Sequence, residues 1–189
     1  SRFLRSVRAQ DRYNGTMGNK APAAIPPRPP LTDPKKTRIC VIGFSTSHNV
    51  GRAAKLANAI AASYPGKYET WFYFNGDFRN EPGGLLQAVK KELDPEQQEQ
   101  FRSHRSAPFC WLETMDKKIA KGGRDRLCEW AAKEFPDNAE IQTLATTAPA
   151  IFSNDLFPTK FKPTTQAPNE ALPQSFGNKT KASRRDSVA

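Results

Sequence analysis

The sequence predicts an α/β protein with long extended arms at both ends. Strand-like and helix-like patterns alternate through its middle in the order β-α-β-α-β-β-α, which is typical of helices packed on a sheet. Both ends are rich in proline, which disfavours helix and sheet because proline lacks an amide donor and has a fixed φ. We therefore divide the 189 residues into an N-terminal arm (1–36), an α/β domain (37–145) and a C-terminal arm (146–189).

The first strand and the first helix have clear signals. Residues 38–44 form a continuous apolar run of the kind that is buried on both faces of a sheet. Small and apolar side chains then recur at helical spacing between Val50 and Tyr64, and Pro65 and Gly66 end the helix. The inward-facing positions of this helix are Ala53, Leu56, Ala57, Ile60 and Tyr64.

The second strand and the second helix follow directly. Residues 68–74 are aromatic and favour a β-strand, which Asn75-Gly76-Asp77 closes. One apolar helical face comes next, with Asp94-Pro95 as its boundary, and a short polar helix from Pro95 to about Ser103 is compatible with the pattern. The face comprises Leu85, Leu86, Val89 and Leu93.

The last part of the domain predicts a hairpin and a helix. Residues 109–113 read as a strand after Ala107-Pro108, and a turn at 115–118 leads into a fourth, edge strand. Gly122-Gly123 opens the last helix, from Asp125 to Phe135. Its inward-facing side chains are Leu127, Trp130, Ala131 and Phe135.

Positive charge is concentrated in the arms. The net charge of +10 divides into +6 for residues 1–36, +1 for 37–149 and +3 for 150–189. Because the domain is almost neutral by count, we expect the arms to contact any polyanion, and we expect no nucleic-acid partner unless the host is a ribosome.

No window approaches the ~20 apolar residues of a membrane-spanning helix, and the N-terminal region has no apolar signal core. We expect a soluble intracellular protein with no membrane partner.

The cysteines and histidines suggest neither a disulfide nor a metal site. Cys40, Cys110 and Cys128 are odd in number, widely spaced and set in core-like segments. His48 and His104 have no metal-ligand spacing to each other or to the cysteines. We therefore expect buried thiols, no metal and no cofactor.

Both arms carry aromatic and aliphatic residues that a purely solvating tail would lack. We expect these residues, together with neighbouring cations, to bind a partner. The predicted partner-binding residues are Arg2, Phe3, Arg5, Arg8, Arg12, Phe152, Phe157, Lys160, Phe161 and Lys162.

The domain resembles the thioredoxin fold in its glutaredoxin form. The resemblance covers roughly residues 37–136 and rests on Phe44-Ser45-Thr46-Ser47 after the first strand, Ala107-Pro108 before the third, and Gly122-Gly123-Arg124-Asp125 before the last helix. It implies a cis-proline at Pro108, with a structural role.

The resemblance also implies what the domain lacks. Enzymes of this family attack disulfides with a cysteine thiolate at the start of the first helix, whose N-terminus lowers the thiol pKa. Residues 47–52 contain no cysteine. We expect no catalytic residue here: Ser47 and Asn49 are interpreted as helix N-caps, and His48 beside Ser47 lacks an orienting carboxylate for a triad.

Glutathione binding without catalysis stays open as an alternative. The family holds glutathione through the residue before the cis-proline and through the start of the last helix, and Ala107, Gly123 and Asp125 occupy those positions. Cysteine-free relatives of glutaredoxin exist, so the fold does not by itself decide the function.

A redox-inactive domain with two basic arms predicts a non-catalytic structural protein of a large assembly, since linked weak contacts raise avidity strongly. The plan resembles that of thioredoxin-like microtubule inner proteins of apicomplexan cortical microtubules, which implies tubulin as partner and a location in the cytoplasm and cytoskeleton. The alternative is an accessory subunit of the mitochondrial ribosome or a respiratory complex, because the arginines of residues 1–12 resemble a transit peptide. Ser187 follows two arginines and is a candidate phosphorylation site.

Overall fold

The computed structural model describes residues 27–75, 78, 84–147 and 156–165. These residues form an α/β unit with one four-stranded mixed sheet and helices on both of its faces. The predicted α/β class is therefore confirmed.

The sheet places the first strand in its interior. The strands are β1 (Thr37–Gly43), β2 (Tyr68–Phe74), β3 (Phe109–Glu113) and β4 (Lys118–Gly122), in the order β2-β1-β3-β4. β2 is parallel to β1, whereas β3 is antiparallel to both β1 and β4. The predicted fourth strand is confirmed as an edge strand.

Within the described residues, five α-helices accompany the sheet, and a 3₁₀ turn follows at Pro158–Lys160. The helix α1 (His48–Ser63) connects the parallel strands, as a parallel pair requires. The others are α2 (Leu85–Lys90), α3 (Pro95–Gln100), α4 (Arg124–Glu134) and α5 (Ala139–Thr146).

Each face of the sheet has its own apolar core. On one face, Ile39 and Val41 pack with α1, α4 and α5. On the other face, Cys40 and Ile42 pack with α2 and with Leu93 and Phe101, which flank α3. Alternation along β1 explains the two cores, because successive side chains point to opposite faces.

The helix α5 was not predicted. Asn138 caps it, since its side-chain Oδ1 accepts a hydrogen bond from the amide of Ile141 at 3.0 Å. Ile141 and Ala145 are the buried residues of this helix. A cap residue followed by apolar residues at a spacing of four is a helix signal, and it was available in the sequence.

The packed unit extends beyond the predicted domain limits of 37 and 145. Residues 27–32 lie over one face of the sheet, and residues 156–165 lie along α1 and the outer edge of β2. Both segments were assigned to the arms. Within the ranges that the structure describes, no helix has the length and apolar character needed to cross a bilayer.

Candidate functional site

Three segments meet at one end of the sheet, at the start of α1. A methyl group placed on Gly43, at the end of β1, would touch Val50 of α1 and lie 3.4 Å from the side chain of Ala107. One placed on Gly123, the N-cap of α4, would lie 3.4 Å from the ring of His104. The His104 ring in turn contacts the carbonyl of Pro108 at 3.3 Å. The start of α1, the loop before β3 and the start of α4 are thus brought together.

In the turn between β1 and α1, neither Ser47 nor Asn49 caps the helix with its side chain. Ser47 occupies the N-cap position of α1, but its side chain accepts no hydrogen bond from the first turn that the structure describes. Its contribution is the backbone carbonyl, which accepts from the amide of Gly51 at 3.0 Å. Asn49 is not a cap, because α1 begins one residue before it, at His48.

The three thiols are buried. Cys40 and Cys110 are fully buried, and Cys128 is 7 % exposed. Burial raises the pKa of all three thiols, since the thiolate is poorly solvated inside the protein. Cys110 belongs to the core beside Cys128, as predicted. Raised pKa values and burial together make these thiols poor nucleophiles.

The C-terminal arm covers the beginning of α1. A methyl group on Gly51 would overlap the carbonyl oxygen of Leu156, so the two backbones are in direct contact. The ring of Phe157 stands edge-on to that of His48, with 5.0 Å between the centroids. The residues that would surround a reactive group at this helix terminus therefore contact the chain's own C-terminal segment.

The same segment continues to the outer edge of β2. The Asn58 side-chain amide donates to the carbonyl of Lys162 at 3.0 Å. The amide of Thr70 donates to the Thr164 hydroxyl at 2.8 Å, and the amide of Thr165 donates to the carbonyl of Thr70 at 3.2 Å. Backbone groups of an edge strand are thereby paired at Thr70, which removes part of an edge that other chains could extend.

The candidate glutathione residues lie in one region but differ in environment. The peptide bond between Ala107 and Pro108 is cis, as the resemblance implied, and Ala107 is half-buried. Gly123 is the N-cap of α4. Asp125 is exposed and forms an ion pair with Arg124. His104 was not predicted as a neighbour of this region; only the folded chain shows it, because nothing in the sequence links it to Gly123.

The N-terminal arm docks on the opposite face of the sheet through Arg28. Its guanidinium lies 5.6 Å from the ring centroids of both Trp71 and Trp111, within the range of cation–π attraction. The same group pairs with Glu92 and, at 3.1 Å, with Glu113. Burial lowers the pKa of Arg28, but these two carboxylates outweigh it and raise that pKa overall.

A buried arginine of β1, Arg38, binds the two prolines that come directly after Arg28 in the sequence. Arg38 pairs with Glu69 of β2 at 2.6 Å, and both side chains are almost fully buried. Its terminal nitrogens Nη1 and Nη2 also donate to the carbonyls of Pro29 and Pro30, at 2.7 and 2.8 Å. Thr32 adds two bonds to Glu69. A shallow pocket of about 340 Å³ lies between this segment and the end of β3.

The structure describes four of the predicted partner-binding residues, and they form two groups. Phe157 contacts His48, and Phe161 packs against the core that α1 forms. These two rings therefore bind this chain's own domain, which differs from their expected role. Lys160 and Lys162 are exposed. Arg2, Phe3, Arg5, Arg8, Arg12 and Phe152 lie outside the described residues, as does Ser187.

Among the residues that the structure describes, no three histidine, cysteine or acidic side chains cluster as metal ligands would. No protein-family model matches the chain, and neither a curated protein nor a solved structure is significantly similar to it.

Proposed function

We propose that this chain is a non-catalytic structural protein, with a thioredoxin-like domain that two basic arms hold in a large assembly. The strand order β2-β1-β3-β4 and the strand directions support the thioredoxin-like assignment. The glutaredoxin form of that fold joins a parallel β-α-β unit to an antiparallel hairpin, and this chain has both parts in that order.

One observation carries the non-catalytic role. The start of α1, where an oxidoreductase of this fold presents its thiolate, contains no cysteine and lies under Leu156 and Phe157. A hydroxyl or an amide cannot replace sulfur in thiol–disulfide exchange. The covering segment also blocks a substrate from reaching the start of α1. This helix terminus is therefore suited to binding the C-terminal segment rather than to catalysis.

The proposed partner is tubulin, and the proposed location is the cytoskeleton. Residues 1–26 contain five Lys and Arg and one acid, and residues 166–189 contain four and two. Most of the arms' net charge therefore lies outside the residues that the structure describes. Basic segments of this kind associate with acidic surfaces, such as that of tubulin, with strong salt dependence.

Truncations at the packed boundaries test the assembly role. Because residues 27–32 and 156–165 are bound to the domain, deleting 1–26 and 166–189 should leave the fold intact. We expect the full chain to pellet with microtubules and the doubly truncated chain to stay in the supernatant. Equal pelleting of both chains would contradict the role of the arms. If the full chain pelleted with mitochondrial ribosomes but not with microtubules, the ribosome would be the partner instead of tubulin.

Two assays test the absence of catalysis and of a cofactor. Reduction of a small disulfide by glutathione should proceed at the uncatalysed rate in the presence of the protein. Calorimetry with reduced glutathione should give no binding heat, because Leu156 and Phe157 lie over the start of α1. A micromolar affinity that Gly123→Trp removes would instead establish the glutathione-binding alternative.

A further inference from the structure

Basic side chains from three elements meet beside the loop that joins α3 to β3. The Lys90 ammonium donates to the carbonyls of His104 and Arg102, at 2.7 and 3.3 Å. The Arg126 guanidinium of α4 lies 5.5 Å from the centroid of the Phe101 ring, which begins this loop. Arg105 follows His104 directly and is exposed. We call the surface of His104, Arg105 and Arg126, with the buried Lys90 ammonium behind it, the cationic face.

The positive charge of the cationic face is not neutralised within the described residues. The adjacent Arg102 and Arg124 have carboxylate partners, Glu99 and Asp125. No carboxylate of the described ranges lies within ion-pair distance of Lys90, Arg105 or Arg126.

Burial is the main cause of two lowered pKa values at the cationic face, and neighbouring positive charges add to it. Burial lowers the pKa of Lys90, and the charge of Arg105 lowers it further. Burial also lowers the pKa of His104, with smaller contributions in the same direction from Lys90 and Arg126. The contributions of Arg105, Lys90 and Arg126 show that these positive charges lie close enough to repel one another, and a bound carboxylate would relieve that repulsion.

The near-neutral charge of the domain conceals this surface. Residues 102–126 hold seven Lys and Arg against three acids, whereas residues 129–140 hold one lysine against four acids. The two stretches cancel in a count along the sequence. In the fold, His104 and Arg126 lie near the beginning of α4, whereas the acidic stretch begins in the middle of α4 and continues past its C-terminal end.

We propose that the cationic face binds a glutamate- or aspartate-rich segment of a protein partner. Arg105 and Arg126 are exposed, and each guanidinium can take a carboxylate in a two-point contact. A single-stranded nucleic acid is less suited, because its bases need exposed rings for stacking. At this surface Phe101 and Phe109 are buried, and the half-buried His104 ring packs against Phe109. The inference rests on the proposed function in one respect: the partner is taken to be a protein of the assembly that holds this chain.

The experiment uses the full chain and a fluorescent ten-residue glutamate peptide. Anisotropy at low salt should show binding that weakens about fivefold in Arg105→Ala/Arg126→Ala, as the loss of two solvent-exposed ion pairs allows. The matched control, Lys55→Ala/Lys133→Ala, removes the same two charges from exposed positions on α1 and on the last turn of α4. It should bind within about twofold of the unaltered chain. Both variants keep the arms, so binding by the arms cancels in the comparison.

Amide chemical-shift changes locate the peptide. They should concentrate at residues 102–107 and 123–126, and be absent there in the Arg105/Arg126 variant. Equal affinity of this variant and the control would overturn the proposal and leave the assembly role standing, because truncation of the arms tests that role separately. Tighter binding of oligouridylate than of the peptide, lost in the same variant, would overturn the choice of a protein partner.

Discussion

The carbonyl oxygen of Leu156 lies against the backbone of Gly51, so closely that any side chain at position 51 would overlap it. Gly51 lies in the first turns of α1, although glycine is a poor helix former. Because glycine has no side chain, the backbone of Leu156 can approach the helix at this position. This contact joins the C-terminal arm to the helix terminus that lacks a cysteine.

We expect Gly51→Ala to release the C-terminal segment. Alanine is favoured over glycine in a helix by about 1 kcal/mol, but the overlap with Leu156 should cost about 2 kcal/mol or detach the segment. Limited proteolysis should therefore cut between residues 147 and 166 faster in the variant. Gly66→Ala is the control, since a methyl group there would meet nothing within 4 Å. Unchanged proteolysis of Gly51→Ala would show that the segment does not lie on α1.

Arg28→Ala should detach residues 27–32 from the sheet. The substitution removes two ion pairs and leaves Glu92 and Glu113 without this partner, which should lower the free energy of unfolding by about 2 kcal/mol. Tryptophan emission should shift to the red as Trp71 and Trp111 lose their cover. Arg102→Ala, in an exposed pair with Glu99, is the control and should cost less than about 0.5 kcal/mol. An unchanged emission spectrum in Arg28→Ala would contradict the docking.

Acid should weaken the same attachment through Glu92. Burial raises the pKa of Glu92, but the hydrogen bonds from Lys118 and Arg28 outweigh it, so the folded-state pKa lies below the model-peptide value of 4.5. A carboxyl group with a lowered pKa contributes stability that is complete above the unfolded-state pKa and is lost as the pH falls through the folded-state pKa.

The melting temperature should therefore fall as the pH drops below about 4.5. Glu92→Gln should be less stable at neutral pH and should show a shallower decline in acid. If the acid decline of the variant equals that of the unaltered chain, Glu92 does not provide this pH dependence.

The three cysteines should resist modification in the native state. Cys40 and Cys110 are fully buried, and burial raises their pKa values, so a disulfide reagent at pH 8 should react with no more than the slightly exposed Cys128. All three should react after denaturation in urea. Rapid native-state reaction of Cys110 would contradict its placement in the core and would reopen the question of thiol chemistry.

The regular elements were predictable because their signals are local. The apolar run of β1 and the helical spacing of Leu56 and Ile60 depend only on neighbours in the sequence, and the structure has both elements where expected. The cap predictions failed at Asn49 because a one- or two-residue shift in a helix start changes which side chain can cap it. The helix α5 carried a usable signal at Asn138 that was not recognised.

The sequence by itself determined the α/β class, the buried thiols and the absence of a cysteine at the start of α1. These follow from residue type and short-range spacing. The tertiary structure alone decided that Phe157 and Arg28 bind this chain's own domain and that Lys90, Arg105 and Arg126 lie around one loop. Such relations join residues tens of positions apart, and a linear pattern does not record which distant groups the folding of the sheet brings into contact.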